Sequence, residues 1–253
     1  MQKYFISSED FNELCITGDD AFHIINVMRC KINDQVLVGS NNKTYLVAIK
    51  SLEKKLVKFE ILEEKTGNTE LPFFVSLFQG YPKADKLENI IKYGTQLGVS
   101  EFHPTLMRYS VFKLDEKKKD NKLERFNKIA KEAAEQSFRE SLPKVVDIEY
   151  LKKIDFSSYN VKLVCYEESA KENESSAFRK AITNLNKDDR IAIVVGPEGG
   201  ISTDEIDYLE KQGFIKVGLG PRILRTETVV FYCMSAISYE WELKKWKKLD
   251  FKP

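Results

Sequence analysis

The sequence predicts an α/β protein in two parts: a small β-rich domain over residues 1–70, then a larger domain over residues 71–253 built on a largely parallel sheet with flanking helices. Three observations carry this. Short runs rich in Val, Ile, Tyr and Phe crowd between Val36 and Leu62; a polar stretch without periodicity follows; and beyond it apolar runs of strand length alternate with amphipathic helical segments. A chain of 253 residues is also at the upper end of what one hydrophobic core serves, which suits two domains.

In the first part, QVLVGS, KTYLVAIKSL and KLVKFEILEE read as strands of a small antiparallel sheet, with a turn at Asn41-Asn42 between the first two. The stretch EEKTGNTELP, Glu63 to Pro72, carries Gly67, Asn68 and Pro72 and reads as a linker, with the domain boundary near Leu71.

In the second part, FFVSLFQG is a strand and a helix follows from about Asp85 to Leu97, with Leu87, Ile90 and Ile91 on one face. Asp85 and Glu88 have capping-box spacing, and Gly98 can close the helix in a left-handed conformation. VSEFHPTL completes a β-α-β unit. A second amphipathic helix spans about Asn121 to Arg139, with Leu123, Phe126, Ala130, Ala133 and Ala134 at helical spacing; the charged run Leu114 to Lys122 before it reads as a solvated loop. VKLVCYE, IAIVVG and FIKVGLG are apolar enough to be buried on both faces of a parallel sheet. The last helix, about Glu227 to Lys245, is apolar at Val230, Met234, Ile237 and Trp241, with Phe231, Tyr232 and Trp246 beside them.

Composition narrows the function classes. With 42% apolar and 31% charged residues the chain suits a folded protein. No run approaches the ~20 apolar residues of a membrane span, and MQKYFISSED lacks the apolar stretch of a secretory signal, so a cytoplasmic location is expected. Cys15, Cys30, Cys165 and Cys233 are scattered and His23 and His103 have no ligand spacing, so reduced thiols and no metal are expected. Net charge is +1 overall, −2 over residues 1–70 and +3 over the rest, so any nucleic-acid surface must be a local patch.

Two loops carry the chemistry. In IAIVVGPEGGIS a buried strand opens into Gly196-Pro197-Glu198-Gly199-Gly200, and Ser202 with Glu205 then caps a helix that ends at Gly213. Glycines there let a ligand approach bare backbone groups, and strand C-termini are where open α/β sheets bind ligands. A turn that needs glycine for geometry alone competes with this reading. The run matches neither a dinucleotide nor a P-loop fingerprint, which argues against a nucleotide or nicotinamide enzyme. GLGPRILRTET, Gly218 to Thr228, also leaves a strand through glycine and proline, and sets Arg222, Arg225, Thr226, Glu227 and Thr228 before an apolar helix. Buried polar density of that kind needs partners. A salt-bridged cap of Arg225 and Glu227 is the plainer alternative, but two such loops suggest one shared pocket.

These motifs, with HIINVMR (His23 to Arg29), KADKLE (Lys83 to Glu88), RYSV (Arg108 to Val111), EAAEQSFR (Glu132 to Arg139) and Pro143, occur in the order found in the RsmE family of 16S rRNA uridine-N3 methyltransferases, which the chain resembles over nearly its whole length. It departs at Tyr93 and Gln96, where the family has a Lys and a Glu, and at Val229, where alanine is common. The resemblance implies a SPOUT-like fold with a trefoil-knotted site for S-adenosylmethionine, a PUA-like barrel that contacts RNA, and a homodimer acting on ribosomal RNA in the small subunit. It implies cofactor contacts from Val195, Gly196, Pro197, Glu198, Gly199, Gly200, Leu219, Gly220, Ile223, Leu224, Arg225 and Thr228.

Methylation of a uridine ring nitrogen needs positioning, loss of a proton and stabilisation of the resulting anion. Arginine suits that anion with a charged planar fork, so Arg225 is the first candidate for the catalytic role, with Glu227 to orient it or take the proton. Arg29, Arg108, Arg139 and Arg222 are candidate RNA contacts; His23 by itself reads as a satisfied, half-buried histidine. A catalytically silent RNA-binding module of this fold and a SPOUT methyltransferase with another RNA target are the alternative readings.

Overall fold

The computed structural model describes residues 1–112, 116–168 and 176–244. These form two compact units, one of residues 1–70 with 131–142 and one of residues 71–130 with 143–253.

The first unit is a five-stranded sheet in the order β1-β3-β4-β5-β2, formed by β1 (Lys3–Phe5), β2 (Cys15–Thr17), β3 (Gln35–Ser40), β4 (Lys43–Glu53) and β5 (Leu56–Lys65). Alternation sets the inner face: Val36, Val38, Val47, Ile49, Val57 and Phe59 are buried, together with Tyr4, Ile16 and Ile24. Asn41 and Asn42 both have positive φ, +53° and +57°, the conformation a two-residue hairpin requires. The sheet differs from a purely antiparallel one because β1 runs parallel to β3. Two single-turn helices, α1 (Ser8–Asn12) and α2 (Gly18–Phe22), join the early strands, and a π-helical turn covers His23–Val27.

The expected linker is only partly irregular. Strand β5 runs on to Lys65. Gly67 N–H then donates to Glu140 at 2.7 Å, and Glu70 receives Arg139 Nε at 3.1 Å and Ser141 Oγ at 2.7 Å. Arg139 is 2% exposed, and its carbonyl takes the buried Lys3 ammonium, which also reaches Thr44 at 2.6 Å. Arg139 follows α4 (Glu116–Gln136), which ends where Phe138 turns to φ +57°. That helix includes most of the charged run read as a loop; Leu114 and Asp115 lie outside the described residues.

The second unit holds β6 (Phe74–Gly80), β7 (Glu101–Leu106), β8 (Lys144–Val145), β9 (Glu149–Tyr150), β10 (Val161–Cys165), β11 (Arg190–Val195) and β12 (Ile215–Val217). They form one sheet in the order β12-β10-β11-β6-β7-β8, with β9 also on β7, and every pairing is parallel. The apolar runs are continuous because both faces are covered. Val75, Leu77, Ile191 and Ile193 enter one core, while Phe78, Ala192 and Val194 enter the other.

Helices α3 (Lys86–Gln96), α5 (Ala177–Thr183), α6 (Thr203–Lys211) and α7 (Thr226–Ser238) connect the strands. Gly98 closes α3 at φ +98°, but the capping box there does not form: the Asp85 side chain caps nothing and Glu88 takes Arg125 at 2.8 Å instead. The box at α6 does form, with Glu205 accepting Ser202 N–H at 3.0 Å and its hydroxyl at 2.8 Å. After α7 the chain continues as a π-helix, Tyr239–Lys244, in which Trp241 donates to the Ile182 carbonyl at 2.8 Å and packs edge-on to Phe73. Lys245 and Trp246, the predicted end of this helix, lie outside the described residues.

Candidate active site

Because β12, β10, β11 and β6 are neighbours and parallel, their C-terminal ends lie together. Over them opens a cavity of about 710 Å³. The two sequence-predicted loops supply most of its wall. Val195, which ends β11, and Gly196 to Ile201 come from one, and Leu219 to Thr226 after β12 from the other. Cys165 to Glu168 after β10, and Lys86 and Val229, complete it. The cavity thus brings together Gly196, Pro197, Glu198, Gly199, Gly200, Leu219, Gly220, Arg222, Ile223, Leu224 and Arg225. Thr228 does not line it; the helical turn that begins at Thr226 faces Thr226 inward and leaves Thr228 exposed.

The two loops are stitched by neutral polar groups that the sequence reading missed. The Thr226 hydroxyl donates to the Gly196 carbonyl at 2.7 Å and accepts Gln79 Nε2 at 2.8 Å; Gln79 also reaches the Gly80 carbonyl at 2.9 Å. Both side chains are buried, so each bond satisfies a group that water cannot reach. A polar Gln at the end of an apolar strand was the available signal. Close approach also fixes Gly80, where a Cβ would fall 2.5 Å from the Pro197 ring, and Gly200 sits at φ +77°.

Charge gathers at the lip. Lys86 Nζ lies 2.8 Å from Glu198 and 3.5 Å from Glu227, so one ammonium joins carboxylates from both loops. The hydrogen bond that Lys86 donates to Glu198, outweighing partial burial, raises the Lys86 pKa; burial raises the Glu198 pKa, yet Lys86 and backbone donors leave it below the ordinary carboxylate value. Arg222, Ile223 and Arg225 are exposed, Ile223 by 75%. Arg225 is the N-cap residue of α7 without a side-chain cap bond, so its guanidinium is not used to build the helix end.

The remaining candidates separate by environment. Arg108 donates its N–H to Glu205 at 2.7 Å and pairs with Asp204 at 3.2 Å, which ties the segment after β7 to the start of α6; its side chain stays 60% exposed. Arg29 is exposed, with φ +52°. Arg139 is corrected from RNA contact to structural tie, since a buried guanidinium forked onto Glu70 has no face to offer a phosphate. His23 is half-buried and bonded to Tyr4 at 2.9 Å. Tyr93 packs edge-on against Phe231, an apolar contact in place of a charged pair.

Two family models match the chain, one described as an RNA methyltransferase PUA domain over residues 16–62 and one as an RNA methyltransferase domain over residues 69–238. Among known proteins, ribosomal RNA small subunit methyltransferase E of Bacillus subtilis (strain 168) is 43% identical over 251 residues, 96% of this chain and 98% of that one. The protein of that name from Mesomycoplasma hyopneumoniae (strain 232) is 30% identical over 240 residues, 93% of this chain and 98% of that one. Among solved structures, a ribosomal RNA small subunit methyltransferase E from Neisseria gonorrhoeae bound to S-adenosyl methionine superposes with a TM-score of 0.80 at 25% identity, covering 95% of this chain and 98% of that one.

Proposed function

The chain belongs to the RsmE family of ribosomal RNA small subunit methyltransferases and is an S-adenosylmethionine-dependent enzyme; from that premise we propose that its methyl acceptor is N3 of a uridine in the 16S RNA of the small subunit. The observation that carries this reading is the single cavity made by two glycine-bearing loops, with a free arginine fork at its lip.

The cavity suits the cofactor on three counts. Its volume is in the range of small-molecule sites. Val195, Val217, Leu219 and Val229 give it an apolar floor, and bare backbone at Gly196, Gly199, Gly200 and Gly220 can hold an adenosine by hydrogen bonds fixed by the fold. Glu167 and Glu168 also line the cavity. When bound, S-adenosylmethionine supplies a methyl carbon made electrophilic by its sulfonium.

The chain's own residues must then position the uridine, take its proton and hold the anion. Arg225 is assigned to the uridinate, its donors meeting the carbonyl oxygens that flank N3. Glu227, half-buried beside Lys86, is the acceptor assigned to the N3 proton. Arg29, Arg108 and Arg222 are the proposed RNA contacts, and residues 1–70 the RNA-binding domain. The exposed apolar Tyr232, Tyr239 and Leu243 support a homodimer, which sedimentation as a monomer would remove. The proposed place of action is the cytoplasm, on the small subunit.

The test incubates the protein with labelled S-adenosylmethionine and small subunits from a strain lacking the enzyme, then maps the labelled base. Label at uridine N3 is expected. Label on another base or RNA would make this a methyltransferase with another target, and cofactor binding without label would make it a silent binding module. In the same assay Arg225→Ala should keep cofactor affinity and lower turnover ~100-fold or more; wild-type turnover would remove Arg225 from the mechanism.

A further inference from the structure

A second cavity, of about 340 Å³, lies in the same unit and is lined by Tyr81, Lys83, Asp85, Phe112 and Lys122 among others. It neighbours the cofactor site through one segment of chain. Lys83 N–H donates to both oxygens of Glu198, at 3.1 and 3.2 Å, and Glu198 and Lys86 line the larger cavity. A ligand in the smaller cavity is thus beside the lip where the acceptor base must sit.

Its chemistry is that of a nucleotide site. The half-buried Phe112 ring stacks at 3.9 Å, with 14° between the planes, on Tyr81, which is buried in the core, so the outer face of Phe112 is the aromatic surface of the cavity. Lys83 is exposed, and only its backbone is engaged in the contacts above. Lys122 lies 5.4 Å over the Phe112 ring, a weak contact that an anion can displace. Lys86, by contrast, is committed to two carboxylates. Asp85 caps nothing and offers acceptor oxygens at the rim. Two available ammonium groups beside one aromatic face match a phosphate and the flat face of a base.

We propose that this cavity is a subsite for a nucleotide flanking the methylated one in the RNA substrate, its base against the outer face of Phe112 and its phosphate between Lys83 and Lys122. The proposal rests on the chain being an RNA methyltransferase and names how that enzyme grips its RNA beyond the target base.

The test compares wild type with Lys83→Ala/Lys122→Ala and with Phe112→Leu, measuring S-adenosylmethionine affinity by calorimetry and small-subunit RNA affinity across a salt series. The double variant should bind RNA at least about tenfold more weakly, with the salt slope reduced by about 0.7, the loss of the one single-strand phosphate that the two lysines share. Phe112→Leu should weaken RNA binding about tenfold with the slope unchanged. Cofactor affinity should be as in wild type for both, which also reports that they fold. Unchanged RNA affinity and slope in the double variant would overturn the proposal, as would loss of cofactor affinity, which would make the cavity part of the cofactor site. A wild type that binds the cofactor and never methylates RNA fails at the earlier step and takes this inference with it.

Discussion

The first unit and the larger cavity of the second bury polar groups in opposite ways. Around Arg139 the first unit buries charge and matches it, guanidinium to Glu70 and the Lys3 ammonium to a hydroxyl and a carbonyl. At that cavity the buried connectors, Gln79 and Thr226, are neutral, and charge stays at the lip on Lys86, Glu198 and Glu227. The difference teaches where to look for chemistry. A buried matched charge is committed to structure, because freeing it leaves its partner in a low-dielectric interior; an exposed arginine beside a cavity keeps its donors for a ligand.

Breaking the matched pair should give the largest effect. Arg139→Met leaves the half-buried Glu70 without its counter-ion and should cost about 3 kcal/mol in urea denaturation. Burial alone raises the Glu70 pKa, but Arg139 and Ser141 leave it below the ordinary carboxylate value. The stabilisation is therefore present above the unfolded-state value and is lost as pH falls through the lowered folded one. Wild type and variant should converge in acid; a gap that does not narrow would mean that packing, not charge, was lost.

Cutting the neutral link comes next. Thr226→Val removes the donor to the Gly196 carbonyl and the acceptor for Gln79, at a cost of about 1–3 kcal/mol. Calorimetry should show weakened cofactor binding, and Thr226→Ser should restore it. Failure of serine to restore binding would assign the effect to the lost methyl group.

The smallest effect should carry the opposite sign. Glu135 accepts Phe5 N–H at 2.8 Å and lies 3.8 Å from Lys131, yet burial pushes its pKa up to about 7. Folding then favours the protonated form, so stability falls as pH rises from the usual carboxylate value to about 7. Glu135→Gln should keep the hydrogen bond and gain about 1 kcal/mol above pH 7, with little change near pH 4. A variant less stable at every pH would show that the charge is tolerated.

Much of the fold was legible because it is local. The hairpin at Asn41-Asn42, the parallel strands from Phe74 to Val195 and the helix stop at Gly98 follow from alternation, apolar runs and turn chemistry within a few residues. Both loops that line the larger cavity were legible for that reason. What escaped depends on distant partners. Arg139 looked like an RNA contact because Glu70 lies 69 positions away, and Thr226 and Gln79 are 147 apart. The box at Asp85 failed because Arg125 competes for Glu88. Strands β1 and β2, three residues each, are too short to carry an alternation of their own.

The grouping of residues 131–142 with residues 1–70 has a practical consequence for dissecting the protein. A fragment ending at residue 70 would keep Lys3, Phe5 and Glu70 but lack the Arg139 carbonyl, Glu135 carboxylate and guanidinium that answer them. An excision planned from linear boundaries would thus yield a module with severed contacts, and a graft that rejoins the later dozen residues is the smaller piece with reason to hold together.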